Sequence, residues 1–122
     1  MVVVTEKWPR SLSAYQDVLS RCVRAFAEVL PVERVILFGS HARGQNRADS
    51  DVDLCVVTSR MESQNQAAVT LRQAIGRVRG KPPLSIIPIS ATRLEEKVSQ
   101  HDPFFDTVLA EGICVALRDG VA

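Results

Sequence analysis

The sequence has few cysteines and no pair of them at the spacing of a redox or zinc motif. It contains three, an odd number: Cys22, Cys55 and Cys114. Each lies in an apolar segment, where unreactive thiols behave as small hydrophobic residues. We therefore expect no disulfide framework, but three small core residues in the reducing environment of the cytoplasm.

Long apolar runs and an excess of charge of one sign are also missing. No segment could span a bilayer, and the N-terminus lacks an apolar stretch behind basic residues. The net charge is +1 at pH 7, which gives no general attraction to nucleic acid or membranes. The expectation is a cytoplasmic protein that has no membrane partner and for which nucleic acid is not the favoured target.

Internal repeats, low-complexity segments and linkers are absent as well. With 122 residues, 46% of them hydrophobic, the chain fits one globular domain over residues 1–122 that can bury a core of ordinary size. Its chemistry must therefore come from short motifs within that domain.

Apolar periodicity predicts four main helices and four strands. In chain order, the expected elements are a loose lead-in (1–10), a helix (13–30), a strand (32–38), a loop with room for one helical turn (39–50), a strand (51–57), a helix (63–79), a strand (84–89), two helices (92–98 and 103–111) and a strand (113–117). The order α-β-β-α-β-α-α-β predicts an α/β (α+β) fold. It consists of a small mixed sheet of about four strands with helices packed on it.

Local signals mark several of these boundaries. Pro88 predicts that its strand lies at a sheet edge or ends there. Three helix starts carry capping residues, which are Ser13 with Gln16, Thr92 with Glu95, and Asp102 before Pro103.

A glycine and a serine directly follow the first predicted strand. Gly39 would let a large ligand approach the backbone closely. If Ser40 opens a helical turn, its hydroxyl and the free backbone N–H groups favour phosphate oxygens. Arg43 lies three residues further on, where it could contact phosphate or brace the acidic strand. This segment therefore predicts a phosphate-binding turn.

Two aspartates open the second predicted strand. Asp51 and Asp53 are two residues apart, so their side chains project from the same face, while Val52 and Leu54 point into the core. Two close carboxylates repel each other unless a cation lies between them. Mg²⁺ is commonly held by one or two carboxylates together with substrate phosphates. If the loop doubles back, phosphate and metal ligands face one cavity, as metal-assisted nucleotidyl transfer requires.

The combined pattern resembles the signature of the DNA polymerase β-type nucleotidyltransferase superfamily. It consists of Gly39-Ser40, ten intervening residues and Asp51-x-Asp53. The fuller segments Phe-Gly-Ser-His-Ala-Arg-Gly (38–44) and Ser-Asp-Val-Asp-Leu (50–54) resemble its minimal (MNT) branch in particular, and the resemblance covers residues 32–117. A lone Asp-x-Asp is weak evidence, but its combination with the glycine–serine turn in this context is specific.

The resemblance implies a polymerase β-like nucleotidyltransferase fold and a set of roles. Gly39 and Ser40 would bind the triphosphate of ATP or another NTP, with Arg43 at a frequent position of the motif. Asp51 and Asp53 would be catalytic and hold magnesium, with two ions expected. The implied reaction is AMP transfer to a hydroxyl. The implied partner is a HEPN-domain ribonuclease toxin whose tyrosine is modified, with this chain as the antitoxin; a homo-oligomer is also compatible.

The sequence departs from the family pattern at one position. A third carboxylate is usual on a later strand, where it helps to hold the metal and to activate the attacking hydroxyl. Ser85 stands at the matching place, and no acidic residue lies between Glu62 and Glu95. Transfer with two carboxylates and a water, a carboxylate supplied from elsewhere or from a partner, and binding without chemistry all stay open.

Two alternative functions follow. The domain could be a catalytically weak or inactive module that binds nucleotide or partner and neutralises the partner by contact. It could also be a nucleotidyltransferase that acts on a small molecule.

The other conspicuous residues have simpler interpretations. His41 is expected to be a solvated loop residue, because it occupies a variable position of the motif. The basic run at 72–81 is expected to be a solvated helix face. Trp8 and the pair Phe104-Phe105 are expected to be core or interface anchors.

Overall fold

The computed structural model describes residues 2–120 and contains one five-stranded sheet with helices on both faces. The strands are β1 (Val2–Val4), β2 (Val32–Phe38), β3 (Val52–Thr58), β4 (Leu84–Ser90) and β5 (Ile113–Arg118). The helices are a 3₁₀ helix (Arg10–Tyr15), α1 (Gln16–Val29), α2 (Ser40–Arg43), α3 (Gln64–Ala74), α4 (Ala91–Ser99) and α5 (Pro103–Glu111).

The sheet topology brings three strand ends together. The strand order is β1-β5-β2-β3-β4, with β3 and β4 parallel and every other pair antiparallel. Because β2 and β3 are antiparallel, the last residue of β2 and the first residue of β3 lie at the same end of the sheet. Strand β4, which is parallel to β3, begins at that end as well. The glycine–serine turn, the two aspartates and Ser85 therefore share one end of the sheet.

The expected mixed α+β architecture is confirmed, but the sheet has five strands rather than about four. The loose lead-in predicted for residues 1–10 is wrong for Val2–Val4, which form β1 beside β5, whereas residues 5–9 have no regular secondary structure, as expected. The Thr5 hydroxyl continues this attachment by donating to the Cys114 carbonyl at 2.8 Å. Three consecutive β-branched residues suit a strand, but a segment of three residues is too short to show the periodicity that predicts one. Met1, Val121 and Ala122 lie outside the described residues.

Several helix ends differ from the prediction. The first helix begins as a 3₁₀ turn at Arg10, and α1 starts at Gln16 without the expected side-chain cap. Helix α3 ends at Ala74 rather than at residue 79. The Lys81 ammonium then donates to the Ile75 carbonyl at 2.9 Å. Competing local hydrogen bonds thus replace the last predicted helical turn.

Of the two remaining capping predictions, one is wrong and one is confirmed. Ser90, not Thr92, caps α4 by accepting from the Arg93 N–H at 3.1 Å. Asp102 caps α5 as predicted, accepting from the backbone N–H of residues 104 and 105 at 3.0 and 3.2 Å. The edge position predicted from Pro88 is also confirmed, because β4 is the last strand of the sheet.

The alternating residues of the strands build two separate cores. In β3, Val52, Leu54 and Val56 pack with α1 and α3, whereas Cys55 and Val57 pack with α4 and α5. Asp53 is in phase with the second set and therefore lies on the α4–α5 face. Trp8 is buried as expected, and so are Cys22 and Cys55, while Cys114 is partly exposed. None of the helices described between residues 2 and 120 is long and apolar enough to cross a membrane.

Two glycines define the turn that follows β2. Gly39 has φ +78° and ψ −157°, and Gly44 has φ +71° and ψ 23°. The first combination is open essentially to glycine alone. A Cβ built on Gly39 would overlap Asp53 Oδ2 and lie 3.0 Å from Asp53 Cγ, whereas one on Gly44 meets nothing within 4 Å. The turn therefore has one glycine in tight contact and one in open space.

These glycines give a matched pair of substitutions. Gly39→Ala should reduce the free energy of unfolding by more than about 2 kcal/mol, since it adds strain and displaces the Asp53 carboxylate. Gly44→Ala, at a left-handed but uncrowded position, should cost only about 1 kcal/mol. Urea unfolding followed by circular dichroism measures both, and equal losses would contradict the close contact at Gly39.

Candidate active site

The site begins where the backbone of Gly39 meets the carboxylate of Asp53. Phe38, the last residue of β2, lies directly opposite Asp53 in the antiparallel pairing, so the next residue, Gly39, faces the Asp53 side chain. Asp53 is half-buried there. The convergence expected between the glycine–serine turn and the acidic strand is therefore present for Gly39 and Asp53.

Asp51 lies next to this contact but outside the strand. The predicted strand began at Asp51, whereas β3 begins at Val52, whose N–H donates to the Pro83 carbonyl at 2.8 Å. Asp51 is consequently exposed. Burial raises the pKa of Asp53 above its ordinary value, and the nearby charge of Asp51 raises it further, against smaller opposing effects of His41 and Arg43. The two carboxylates thus influence each other through space, one half-buried and one in solvent.

Ser85 is the neighbour of Asp53 on the other side. It is the direct partner of Asp53 in the parallel pairing of β3 with β4, and directly paired residues project from the same face of a sheet. The register therefore puts a hydroxyl, not an acid, beside Asp53. In the part of the chain that the structure describes, no group of three or more His, Cys, Asp or Glu residues could hold a metal ion.

Ser40 and Arg43 are the first and last residues of α2, a single turn. Ser40 is half-buried, and Arg43 is exposed. The Arg43 guanidinium donates to Glu111 Oε2 at 3.4 Å and to Gln45 Oε1 at 3.2 Å. Exposed ion pairs of this kind contribute about 0–1 kcal/mol. Glu111 therefore holds Arg43 only weakly, and a phosphate could compete for it.

His41 contradicts the expectation of a solvated loop histidine. Its side chain is buried, with 7% exposure. Its Nδ1 lies 3.0 Å from the Ser11 hydroxyl, and its Nε2 lies 3.4 Å from the Ser50 carbonyl oxygen. Ser11 belongs to the 3₁₀ helix, far away in sequence, and no spacing in the sequence links the two residues. A tertiary contact therefore buries a residue whose variable position in the motif predicted a solvated side chain.

The basic run is solvated at Arg72, Arg77 and Arg79, as expected, but only Arg72 lies on a helix, and two members of the run bond to backbone carbonyls. Arg72 donates to the Leu84 carbonyl at 2.7 Å, and Lys81 donates to the carbonyls of Ile75 and Val78, just beyond the end of α3. Arg77 and Arg79 are exposed, as expected. Half of the run thus holds the backbone that leads into β4.

Of the two neighbouring phenylalanines, one is a core residue. Phe105 is buried, whereas Phe104 is 44% exposed. The Phe104 ring packs edge-on against Phe38, with 5.6 Å between the ring centroids. The aromatic pair therefore borders the strand end that carries the site.

The donor atoms brought together here suit a hard cation. They are carboxylate and hydroxyl oxygens, without sulfur, and Mg²⁺ is usually bound by one or two carboxylates plus substrate phosphates and waters. Two aspartates, one of them exposed, do not form a complete protein cage. They fit an ion that is bound together with a polyphosphate.

The raised pKa of Asp53 has a measurable consequence for stability. The folded state disfavours the charged carboxylate and favours the protonated one. The protonated Asp53 therefore contributes to stability at low pH, and this contribution is lost as pH rises through the raised pKa. In metal-free buffer at pH 7.5, Asp53→Asn should therefore stabilise the protein by about 0.5 kcal/mol, a modest value because solvent screens a half-exposed group.

Thermal melting at pH 4.5 and 7.5 measures the effect. The difference in melting temperature between Asp53→Asn and the unmodified chain should be larger at pH 7.5. Asp119→Asn, an exposed position at the other end of the sheet, is the control. A difference that shrinks as pH rises would contradict the assignment.

The chain was compared with curated proteins and with solved structures. None of the curated proteins compared with the chain matches it. The chain is similar in structure to a "putative nucleotidyltransferase" from Sulfolobus solfataricus, with 20% identity, a TM-score of 0.51, and coverage of 80% of this chain and 76% of that one. That likeness concerns the fold. A "putative minimal nucleotidyltransferase" has 27% identity, a TM-score of 0.47, and coverage of 89% and 97%.

The family itself is shown by the sequence. Residues 19–105 match the family model described as "Nucleotidyltransferase domain". The match includes β2, the glycine–serine turn, both aspartates and β4, which are the elements that build the site. The chain therefore belongs to the nucleotidyltransferase domain family.

Proposed function

We propose that this protein is a magnesium-dependent enzyme that transfers AMP from ATP to a hydroxyl group. The observation that carries the proposal is the contact between the bare backbone of Gly39 and the Asp53 carboxylate. It supports a single site in which phosphate ligands and metal ligands are neighbours. In a family of nucleotidyltransferases, such a site is suited to bind the triphosphate and the metal together.

Each residue has a role that follows from its position. Gly39 leaves room for the Asp53 carboxylate, so that the acid lies beside the turn whose Ser40 hydroxyl can donate to a phosphate oxygen. Arg43 can add a positive charge once it leaves the exposed Glu111. Asp51 and Asp53 would hold magnesium, which would neutralise phosphate charge and polarise the α-phosphoryl group.

The chemistry is one displacement at phosphorus. The acceptor hydroxyl oxygen attacks the α-phosphorus, the bond to the bridging oxygen breaks, and pyrophosphate leaves with its electron pair. The acceptor proton must go to a base. Ser85, beside Asp53, is a poor base, and general-base help is typically worth about 10²–10⁴-fold in rate. We therefore expect a slow enzyme.

The acceptor that we propose is a tyrosine of a HEPN-domain ribonuclease, with this chain acting as its antitoxin. The support is the resemblance of segments 38–44 and 50–54 to the minimal branch of the family. The tyrosine hydroxyl is acidic for an alcohol, with a pKa of about 10. Such an acceptor loses its proton more readily than an aliphatic hydroxyl, which fits a site without a third carboxylate.

A second function is favoured by the same serine. A domain that has a neutral residue beside Asp53 could bind nucleotide and partner without transferring anything. Neutralisation would then depend on the contact surface alone. Intact mass and complex formation distinguish this binding module from the enzyme.

The first test is to mix the chain with Mg-ATP and the HEPN protein and to weigh both intact proteins by mass spectrometry. We expect the partner to gain one AMP, and Asp51→Asn or Asp53→Asn to abolish the gain while Asp119→Asn leaves it unchanged. Mg-ATP should also raise the melting temperature of the unmodified chain by mass action. An unmodified partner in a tight complex would support the binding module instead.

The second test restores an acid at Ser85. Ser85→Asp places a third carboxylate next to Asp53 and should increase the rate of transfer by about 10²-fold, the lower end of general-base effects. Ser85→Asn, which has the same shape without the charge, should not. Single-turnover kinetics at fixed Mg-ATP separate the two variants, and equal rates would show that position 85 does not take part in the chemistry.

A further inference from the structure

His41 is the one buried side chain of α2. Its neighbours in this turn are half-buried or exposed, namely Ser40, Ala42 and Arg43. Burying an imidazole is costly unless its ring nitrogens find partners, and here both nitrogens have one. The ring therefore occupies a specific place between two segments that are distant in the chain.

The chemistry of the two partners determines the tautomer. The Ser50 carbonyl oxygen can only accept a hydrogen bond, so Nε2, 3.4 Å away, must carry the proton. In a neutral ring, Nδ1 then accepts from the Ser11 hydroxyl at 3.0 Å. In this neutral form both ring nitrogens are engaged in hydrogen bonds, which suits His41 to holding the loop that it contacts.

The contact with Ser50 matters because Ser50 directly precedes Asp51. The Ser50 hydroxyl accepts from the Arg47 N–H at 2.7 Å, and the Ser50 N–H donates to the Arg47 carbonyl at 3.1 Å. These bonds fold the loop on itself, whereas the His41 bond ties it to the turn that carries Gly39 and Ser40. The regular strand begins only at Val52, so strand pairing does not fix Asp51.

We propose that His41 is a positioning residue for the metal site. By holding the Ser50 carbonyl, its Nε2–H keeps the Asp51 carboxylate near Asp53, although the two carboxylates repel each other when no cation is bound. This inference rests on the proposed function, because it assumes that Asp51 and Asp53 share a divalent ion. Ser11 has a supporting part, since its hydroxyl fixes the tautomer and the orientation of the ring.

Substitutions at His41 test the role through metal affinity. His41→Leu keeps the apolar volume and removes the donor, and it should weaken Mn²⁺ binding about 10-fold, the usual effect of losing a group that orients a metal ligand. His41→Gln carries an amide N–H at nearly the place of Nε2 and should restore most of the affinity. Mn²⁺, measured by electron paramagnetic resonance in the presence of a non-hydrolysable ATP analogue, is the probe.

The control separates positioning from folding. Thr58→Val changes another buried polar residue, at the far end of β3, whose hydroxyl has no hydrogen-bond partner among residues 2–120. This variant should leave the dissociation constant for Mn²⁺ unchanged. A purely structural role of His41 would lower the melting temperature of both His41 variants and leave Mn²⁺ binding by the folded protein unchanged. Should His41→Leu fail to fold, Ser11→Ala, which keeps the imidazole, should still weaken Mn²⁺ binding several-fold.

A spectroscopic measurement tests the tautomer without any activity. Nitrogen-15 NMR of the unmodified chain should show the His41 ring protonated at Nε2 and not at Nδ1. A ring protonated at Nδ1 alone would overturn the proposal.

The two proposals fail in different ways. If the unmodified chain binds no Mn²⁺, the proposed function fails and the positioning role fails with it. If it binds Mn²⁺ through Asp51 and Asp53 and His41→Leu binds equally well, only the positioning role is overturned.

Discussion

The site depends on a contact that exists because one residue has no side chain. Asp53 is held in the regular geometry of β3, and its carboxylate rests against the backbone of Gly39. A side chain at position 39 would have to occupy the space of that carboxylate. The same missing side chain permits the unusual dihedral angles with which the chain leaves β2 and enters α2. One glycine therefore sets both the direction of the turn and the place of the acid.

The sheet supplies the rigidity that this contact requires. Asp53 lies between Phe38 and Ser85 in a row across three paired strands, and the residues before and after it are buried in the core beneath α1 and α3. Burial next to a like charge makes ionised Asp53 unfavourable in the absence of a cation. The sheet thus holds a carboxylate whose ionised form a bound cation would stabilise. Such a cost in stability at a functional site is a common compromise between stability and function.

Much of this could be predicted from the sequence, since periodicity and spacing are local. The β-branched and apolar residues of 32–38 and 51–57 predicted the two central strands, and the spacing of the motif predicted the convergence of the glycine with the acidic strand. Other features depend on distant partners. Strand β1 exists because the edge of β5 accepts it, and His41 is buried because Ser11 arrives from another part of the chain. The start of β3 at Val52 rather than Asp51 depends on the Pro83 carbonyl, which no local pattern reveals.

The edge position of β4 has a consequence for access. Within residues 2–120 the sheet ends at β4, so the flank of Ser85 that faces away from Asp53 has no further strand beside it. A molecule that reaches Ser85 from this flank meets side chains of α3 instead, because Arg72 donates to the Leu84 carbonyl at 2.7 Å and Gln64 donates to the Pro88 carbonyl at 2.8 Å. Hydrogen bonds from a helix therefore occupy backbone acceptors of the edge strand and oppose its pairing with a strand of another molecule.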